Sequence, residues 1–251
     1  MRFATIIAEM PNRTLTGTRR ATRWVAMGLG AAAATYGAVV AAAYFRYGRP
    51  AAPARDEADP LLDTFMPACE VAERHWIRVH APADATWNAA RDVRLQDSSI
   101  VSVVFRAREL ALGANQSPPD PRGLLAQTLV LGWRVLHEDP GREVIVGAVT
   151  RPWEPNVTFR GVSPADFHSF AEPNYVKIVW TLRVESVDSR DTICRTETRA
   201  VSTDGAARAR FRWYWARFSP GIILIRWMLL RQLKADAERA AIVSAPRGSS
   251  R

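Results

Sequence analysis

Cysteine and histidine are scarce in this sequence, with two and four residues respectively among 251. Two cysteines, Cys69 and Cys194, are too few to build a zinc site, and the histidines show no metal-ligand spacing. We therefore predict no metal site and no cofactor. Whether the two cysteines form a disulfide stays open, because spacing alone does not establish that the strands they flank lie close together.

Motifs of the common catalytic families are also missing. The sequence has no His-Glu-x-x-His, no Gly-x-Ser-x-Gly and no phosphate-binding glycine loop. His75 is the weak candidate that remains for catalysis, because it shares a predicted inward strand face with Ile77 and Val79 and is of the type that accepts protons near neutral pH. These absences favour a binding protein over an enzyme and leave the question of catalysis open.

Acidic residues are fewer than basic ones, 25 against 34, which gives a formal net charge of +9. The excess lies at the two ends of the chain: residues 1–55 carry eight arginines and one glutamate, and residues 205–251 carry ten basic and two acidic residues. The body between them, residues 56–204, is acidic. A nucleic-acid-binding protein usually carries a basic stripe with interleaved aromatic residues on its folded body, so we predict no nucleic-acid partner.

Charge is absent from one long segment, Trp24–Phe45, which lies between Arg23 and Arg46. Its 22 residues are enough to cross the roughly 30 Å hydrocarbon layer as a helix. We predict a single transmembrane helix at 24–45, after a basic tail at 1–23. Five arginines before it and three after it favour a cytoplasmic N-terminus and an extracytoplasmic domain. A cleaved signal peptide is the alternative, although the segment exceeds the roughly 7–15 residues of a signal-peptide core.

Residues 46–68 contain four prolines with mixed charges between them. Proline denies a helix or strand its backbone hydrogen bonds, so we predict a linker that acts as a spacer between the membrane and the domain. One globular domain follows at 69–240, since about 200 residues suffice for a single core. Residues 241–251 are predicted to form a disordered tail.

The domain alternates short strands and helices. Apolar periodicity and turn residues predict a strand, several helices, a hairpin, a short helix, a longer hairpin and a closing helix. The predicted elements are a strand at 71–80, helices from Asp84, at 98–110 and at 123–130, strands at 133–138 and 143–150, a helix from Ser163, strands at 175–185 and 192–202, and a helix at 204–239. Ser219-Pro220-Gly221 is expected to bend or divide the last helix.

This order of elements resembles the Bet v 1-like, or START-like, superfamily (SRPBCC, polyketide cyclase/dehydrase-like) over residues 69–240. The resemblance is carried by Trp76–Val79 with Pro82–Trp87, Leu131–Gly147, Glu197–Arg199 and Phe211–Arg239. The Glu-Thr-Arg and Tyr-Trp…Ser-Pro-Gly segments are similar to a bacterial branch of it. The resemblance implies an α+β helix-grip fold, in which a curved antiparallel sheet wraps around a long C-terminal helix and encloses an apolar cavity.

Members of this superfamily bind or carry lipids and hormones, and a minority catalyse cyclisation or related reactions. The resemblance therefore implies a membrane-tethered domain that binds or carries a hydrophobic small molecule or lipid in its cavity. Two alternatives stay open, because a shared fold is a poor guide to activity. One is a cyclase or hydratase-type enzyme that uses the same cavity, and the other is a ligand-free protein-interaction module. The oligomeric state is not determined.

Apolar side chains of one strand and of the helices that close over it are expected to line the cavity. The predicted ligand-binding residues of this type are Trp180, Leu182, Phe167, Phe170, Trp215 and Phe218. The same side chains are equally compatible with a solid core. Each stabilises the fold by about 1.5–3 kcal/mol when buried, so an open cavity sacrifices stability unless a ligand fills it.

Glu197 and Arg199 are the charged candidates for ligand binding. A two-residue turn at Ser189-Arg190 would set the register of the last hairpin so that Glu197 lies opposite Leu182. Arg199 would then lie opposite Trp180, and both charges would face the apolar side. There they would form a mutual pair or meet the polar head group of a ligand. A register slip of one residue would instead expose both to solvent.

The closing helix has a second interpretation. Its apolar run Phe218–Leu230 is interrupted only by Arg226, and tryptophans and basic residues flank it. Such a segment is able to lie in a membrane surface with its basic residues at anionic head groups. The alternative is that the helix fills the sheet and displays its charges to water.

Overall fold

The computed structural model describes residues 14–94, 99–115 and 122–244. The first part of the predicted basic tail, residues 1–13, and the end of the predicted C-terminal tail, residues 245–251, lie outside these ranges. The chain divides into two compact units, Met1–Ala42 and Ala43–Arg251.

The described part of the first unit is helix α1 as far as Ala42; the helix begins at Thr14 and ends at Arg46, so its last four residues belong to the second unit. The segment Arg23–Arg46 is long and apolar enough to cross a membrane. Its apolar side chains, among them Trp24 and Leu29, are exposed. Exposed apolar surface of this extent is unfavourable in water, so the helix has the properties of a membrane span or of a signal sequence.

The second unit is built on an antiparallel sheet of six strands. The strands are β1 (Val71–Val79), β2 (Arg134–Asp139), β3 (Glu143–Thr150), β4 (Phe159–Arg160), β5 (Val176–Ser186) and β6 (Thr192–Ser202). Their order is β1-β6-β5-β3-β2, and β4 pairs with β3. The sheet curves around a long C-terminal helix, which confirms the predicted α+β helix-grip fold.

Six further helices occur in the described part of this unit. They are α2 (Pro60–Phe65), α3 (Ala83–Asp92), α4 (Ser99–Leu112), α5 (Leu124–Val130), α6 (Pro164–Phe167) and α7 (Gly205–Ser244). Helix α7 continues through Pro220, where the sequence predicts a bend or a division. A proline removes one hydrogen bond, whereas α7 packs into the core through Phe211 and Trp215 before this point and through Leu230 and Leu233 after it, so the helix is not divided.

Helix α7 packs across one face of the sheet together with α3 and α5, and we call the region where these helices meet the sheet the groove. Apolar residues on this face form two clusters. The Leu230 cluster contains Val79, Trp87, Leu125, Leu182, Leu230 and Leu233 among others. The Phe211 cluster contains Tyr47, Val71, Val176, Ala200, Phe211 and Trp215.

The residues before β1 cover the opposite, outer face of the sheet. Leu62 of α2 and Met66 are fully buried there. This differs from the prediction that residues 46–68 form a spacer without a regular helix. Asp59 caps α2 by accepting the N–H of Leu62 at 2.9 Å, and Pro60 stands at the first helical position, where its missing N–H is not needed.

Candidate functional site

A polar layer separates the two apolar clusters of the groove. It consists of Glu73 and His75 on β1, Thr196 and Thr198 on β6, and Arg226 on α7. The two strands pair here, with Glu73 opposite Thr198 and His75 opposite Thr196. On each of the three elements the layer is flanked by the Phe211 cluster on one side and by the Leu230 cluster on the other. The polar residues therefore lie at one level of an otherwise apolar space.

Arg226 reaches from α7 to β6 within this layer. Its guanidinium donates a hydrogen bond to the hydroxyl of Thr198 and a longer one, at 3.4 Å, to the hydroxyl of Thr196. Burial lowers the pKa of Arg226 to about 10, and the negative charge of Glu73 opposes this effect. Burial likewise raises the pKa of Glu73, and Arg226 opposes that rise. Two opposite charges are thus held where the surroundings disfavour both.

His75 lies in the same layer with 9% of its side chain exposed. Its Nε2 is 3.9 Å from a carboxylate oxygen of Glu73 and has no hydrogen-bond partner among the residues that the structure describes. The ring meets Trp227 edge-on, with 5.8 Å between centroids. Burial, and secondly the charge of Arg226, lower the pKa of His75, so the imidazole is neutral at pH 7. A neutral imidazole nitrogen without a partner is able to accept a proton or a hydrogen bond.

Several of the predicted lining residues flank the polar layer. Leu182 belongs to the Leu230 cluster, and the half-buried Trp180 packs against it. Trp215 belongs to the Phe211 cluster. Phe218 lies on α7 with its ring 4.9 Å from that of Tyr214. Apolar side chains therefore flank the layer on both sides.

Phe167 and Phe170 lie elsewhere. Phe167 is buried on the outer face of the sheet beside Ile145, so it does not line the groove as predicted. Gly147 of β3 makes room for it, since a Cβ at this position would lie 2.8 Å from the Phe167 ring. Phe170 packs edge-on against Tyr175, with 5.9 Å between ring centroids. The reason for the difference is that α6 packs on the outer face, which its short sequence does not reveal.

The hairpin of β5 and β6 has a register one residue away from the predicted one. A loop of three residues, Asp188–Arg190, closes the hairpin. The Asp188 carboxylate accepts hydrogen bonds from the backbone N–H groups of Arg190 and Asp191. Arg199 consequently pairs with Val179 instead of Trp180. Glu197 and Arg199 therefore lie on the outer face, and the prediction that they face the groove is wrong.

Neither charge is exposed to solvent, because α2 covers this part of the outer face. Glu197 and Arg199 form a mutual ion pair at 2.7 Å and are 5% and 4% exposed. Arg199 also pairs with Asp63 of α2 at 2.5 Å and donates to the backbone oxygen of Met66 at 2.8 Å. Arg74 pairs with Glu197 at 2.9 Å. These buried charges are paired with one another, and the network attaches α2 to the sheet.

A small cleft beside this network has a volume of about 20 Å³, room for one or two water molecules. Charged side chains line it, including Asp59, Arg183 and Arg195. Glu143 lies nearby, buried, and its pKa is raised to about 8 by burial and then by the carboxylate of Asp59. The small size of the cleft and its charged lining do not suit a hydrophobic ligand.

Sequence reasoning missed Arg226, Glu73 and the two threonines as site residues. The sequence does carry a signal for Arg226, which is the single charge in the apolar run 218–230. Glu73 stands two residues before His75 and therefore shares its strand face. The threonines have no comparable signal, because threonine is common on any strand face.

The two cysteines are free and lie on opposite faces of the sheet. Cys69 packs against the outer-face cluster. Cys194 is buried in the Leu230 cluster, where burial raises the pKa of its thiol to about 12. Among the residues with described positions, no three His, Cys, Asp or Glu side chains are grouped so as to hold a metal ion.

No family model matches the chain, and no curated protein matches it. Solved structures are similar to it. A conserved protein from Geobacillus kaustophilus has 10% identity and a TM-score of 0.31, over 69% of this chain and 97% of that one. The Zhui aromatase/cyclase from Streptomyces sp. R1128 has 17% identity and a TM-score of 0.24, over 71% and 98%. The di-domain ARO/CYC BexL of the BE-7585A biosynthetic pathway has 16% identity and a TM-score of 0.27, over 67% of this chain and 46% of that one. These similarities concern the fold alone.

Proposed function

We propose that this protein is a membrane-tethered domain that binds or carries a hydrophobic small molecule or lipid in the groove between the sheet and α7. The observation that carries the proposal is the polar layer, in which Arg226, Glu73 and His75 lie between two apolar clusters. An apolar ligand with one polar group matches this arrangement. Its apolar parts contact the clusters, and its polar group meets the layer.

The polar layer is costly as a purely structural feature. No ion pair between Arg226 and Glu73 is described, and burial disfavours the charged form of each, so holding both charges here costs stability. The hydrogen bonds described for Arg226 go to two threonine hydroxyls rather than to a carboxylate, and the guanidinium has more N–H donors than these bonds use. An acceptor group on a ligand would add to these bonds and offset part of the cost of burying the charge.

Helix α1 is the tether in this proposal. Its apolar side chains are stable once a bilayer removes them from water. The bias of flanking arginines supports a cytoplasmic N-terminus and an extracytoplasmic domain. A domain held in this way remains close to lipids and to compounds dissolved in the membrane.

Native mass spectrometry of the full chain, released from detergent, tests the binding function. We expect an apolar compound on the wild-type protein and less than about a tenth of it on the Glu73→Gln/Arg226→Met double variant, which leaves neither charge unpaired. Arg239→Gln is the matched control, because Arg239 is an exposed arginine of the same helix. A stable wild-type protein without a ligand would contradict the proposal and favour a protein-interaction module.

His75 supports one alternative, a cyclase or hydratase-type enzyme that uses the same groove. Its neutral Nε2 has no partner among the described residues and is suited to accept a proton. Compounds extracted from the wild type and from His75→Asn separate the two functions. An enzyme would yield product from the wild type and unreacted substrate from the variant, whereas a binding protein would yield the same compound from both.

A further inference from the structure

The solvent-exposed side of α7 combines apolar residues with basic ones. The outer stripe consists of Arg210, Trp213, Arg217, Leu224, Trp227 and Arg231. Their spacing of three, four or seven residues places them on one side of the helix. Trp213, Leu224 and Trp227 are 51%, 44% and 48% exposed. The sequence has no acidic residue between Gly205 and Ala235, so the stripe is positively charged.

The outer stripe begins beside the last turn of α1. The ring of Trp213 lies 4.6 Å from the ring of Tyr44. Arg212 stacks on Tyr44 at 3.7 Å and donates to its backbone oxygen. Phe45 is 69% exposed, and Tyr47 is buried in the Phe211 cluster. These contacts hold residues 44–47 against the first half of α7.

The position of these residues along the candidate span sets their depth. The span ends at Arg46, so Tyr44 and Phe45 lie at the level of the lipid head groups when it is inserted. Trp213 contacts Tyr44 and therefore lies at the same level. Tyrosine and tryptophan are enriched at this level of a bilayer, and basic residues beside it attract anionic lipids.

We propose that the outer stripe of α7 lies against the anionic head groups of the membrane that α1 spans. This inference rests on the tether in the proposed function. Two observations identify lipid as the occupant: contact with the end of the span, and a composition of apolar and basic residues without acidic ones, as in helices that lie in a membrane interface. Each basic residue near such a surface strengthens binding by roughly fivefold.

The outer stripe also reaches the groove. Trp227 contacts His75 of the polar layer, and Arg226, the preceding residue, donates to Thr198 inside that layer. One turn of α7 therefore presents one side to the membrane and the other to the ligand site. A compound dissolved in the bilayer would have a short route into the groove.

Quenching of tryptophan fluorescence by brominated lipid tests this inference. The full chain is reconstituted in nanodiscs of zwitterionic or anionic lipid, with or without bromine near the head group. If the outer stripe contacts the bilayer, brominated lipid already quenches Trp213 and Trp227. The fluorescence lost on substitution then measures how strongly each tryptophan emits. For Trp213→Phe and for Trp227→Phe, we expect this loss to be about half as large in brominated anionic discs as in unbrominated ones.

Two other tryptophans provide the controls. Trp76 is equally exposed, at 52%, but lies on the outer face of the sheet, so Trp76→Phe should remove the same emission from both kinds of disc. Trp24→Phe reports on the tether. If Trp24 is quenched while Trp213 and Trp227 are not, α1 is inserted in the bilayer but the inference about the outer stripe is wrong. The outer stripe would then be available to a protein partner. If Trp24 is not quenched, the tether is wrong and the inference falls with it.

The charge of the stripe is tested separately. The Arg217→Gln/Arg231→Gln double variant should lower the quenching of Trp213 and Trp227 in anionic discs to the level of zwitterionic discs. Quenching of Trp24 should not change. Equal quenching in the variant and the wild type would overturn the assignment of anionic head groups as the partner.

Discussion

Arg226 carries a positive charge into a space between two apolar clusters, and burial lowers its pKa to about 10. The guanidinium therefore stays ionised at neutral pH. Glu73 offsets part of this charge from the facing strand, while its own pKa is raised by burial. The negative charge of Glu73 compensates the positive charge of Arg226 only in part. A polar group of a ligand would improve this compensation, because it would accept a hydrogen bond from the Arg226 guanidinium.

The two charges should cost stability. We expect the Glu73→Gln/Arg226→Met double variant to have an unchanged free energy of unfolding, or one raised by about 1–4 kcal/mol, because it removes two charges from a site where burial disfavours both. Arg226→Met alone should be less stable than the double variant, since it leaves the partly desolvated Glu73 carboxylate without the positive charge of Arg226. Urea denaturation in detergent measures both. A double variant less stable than the single one would show that the layer is a structural feature.

Glu143 should make stability depend on pH. Its pKa in the folded state, raised to about 8 by burial and by Asp59, lies above the ordinary value of 4.5. Between these values the folded protein holds a proton that the unfolded chain has lost, so this stabilisation is complete below about pH 4.5 and is lost as the pH rises toward 8.

Thermal melting across this range tests the effect. We expect the melting temperature of Glu143→Gln to fall less than that of the wild type between pH 5 and pH 8, because the amide has no proton to lose. Glu138→Gln, at an exposed position of β2, is the control and should behave as the wild type. Parallel curves for all three proteins would contradict the shifted pKa.

At the scale of elements, α2 depends on tertiary contacts. A helix of six residues is too short to be stable in isolation, and α2 is held by its Asp59 cap, by Leu62 and by the ion pair of Asp63 with Arg199. The same contacts cover strand residues that would otherwise be exposed. The outer face of the sheet is therefore a structural interface with α2.

Leu62→Ala should destabilise the domain by about 2–5 kcal/mol, because it removes a fully buried side chain and leaves a cavity between α2 and the sheet. Thr64→Ala, at an exposed position of the same helix, should change the free energy of unfolding by less than about 0.5 kcal/mol. Chemical denaturation measures the two. Similar small effects would mean that α2 is not part of the cooperative unit.

Arg199→Ala should affect stability and leave ligand binding unchanged. The substitution leaves Glu197 and Asp63 without their shared partner, and breaking a buried pair costs about 3–5 kcal/mol. Arg199 lies on the outer face, so the amount of compound bound per folded molecule should equal that of the wild type. Reduced binding by the folded variant would return Arg199 to the ligand site.

At the scale of the whole molecule, α7 is the central element. One of its sides completes the two apolar clusters, Arg226 enters the polar layer, and the outer stripe is exposed on the remaining side. This division explains why the helix lacks a simple amphipathic pattern along its 40 residues.

The membrane tether is tested by alkaline carbonate extraction of the C-terminally tagged protein. We expect the full-length chain to remain in the membrane pellet, because an inserted apolar helix resists extraction. Protease added to the outside of cells should digest the domain, as the arginine bias requires. A soluble product that begins after Ala43 would instead identify the segment as a cleaved signal peptide.

Much of the architecture follows from local sequence patterns. The alternation in Val71–Val79 and the helical spacing after Gly205 are periodic over enough residues to determine the type of each element, and hence the α+β class. The uncharged segment Trp24–Phe45 is likewise defined by composition. The same alternation placed His75 on the groove side of β1, because a strand needs no partner to determine which residues share a face.

The tertiary structure decided the contacts between elements. A loop of three residues instead of two moved Glu197 and Arg199 to the other face of the sheet, because strand side chains alternate with a period of two. The sequence Asp59-Pro60 is compatible with an irregular linker and with the start of a helix. Only the burial of Leu62 against the sheet distinguishes these two alternatives. The polar layer likewise required three elements to meet at one level, since pairing across distant segments determines which charges are buried together and local sequence does not.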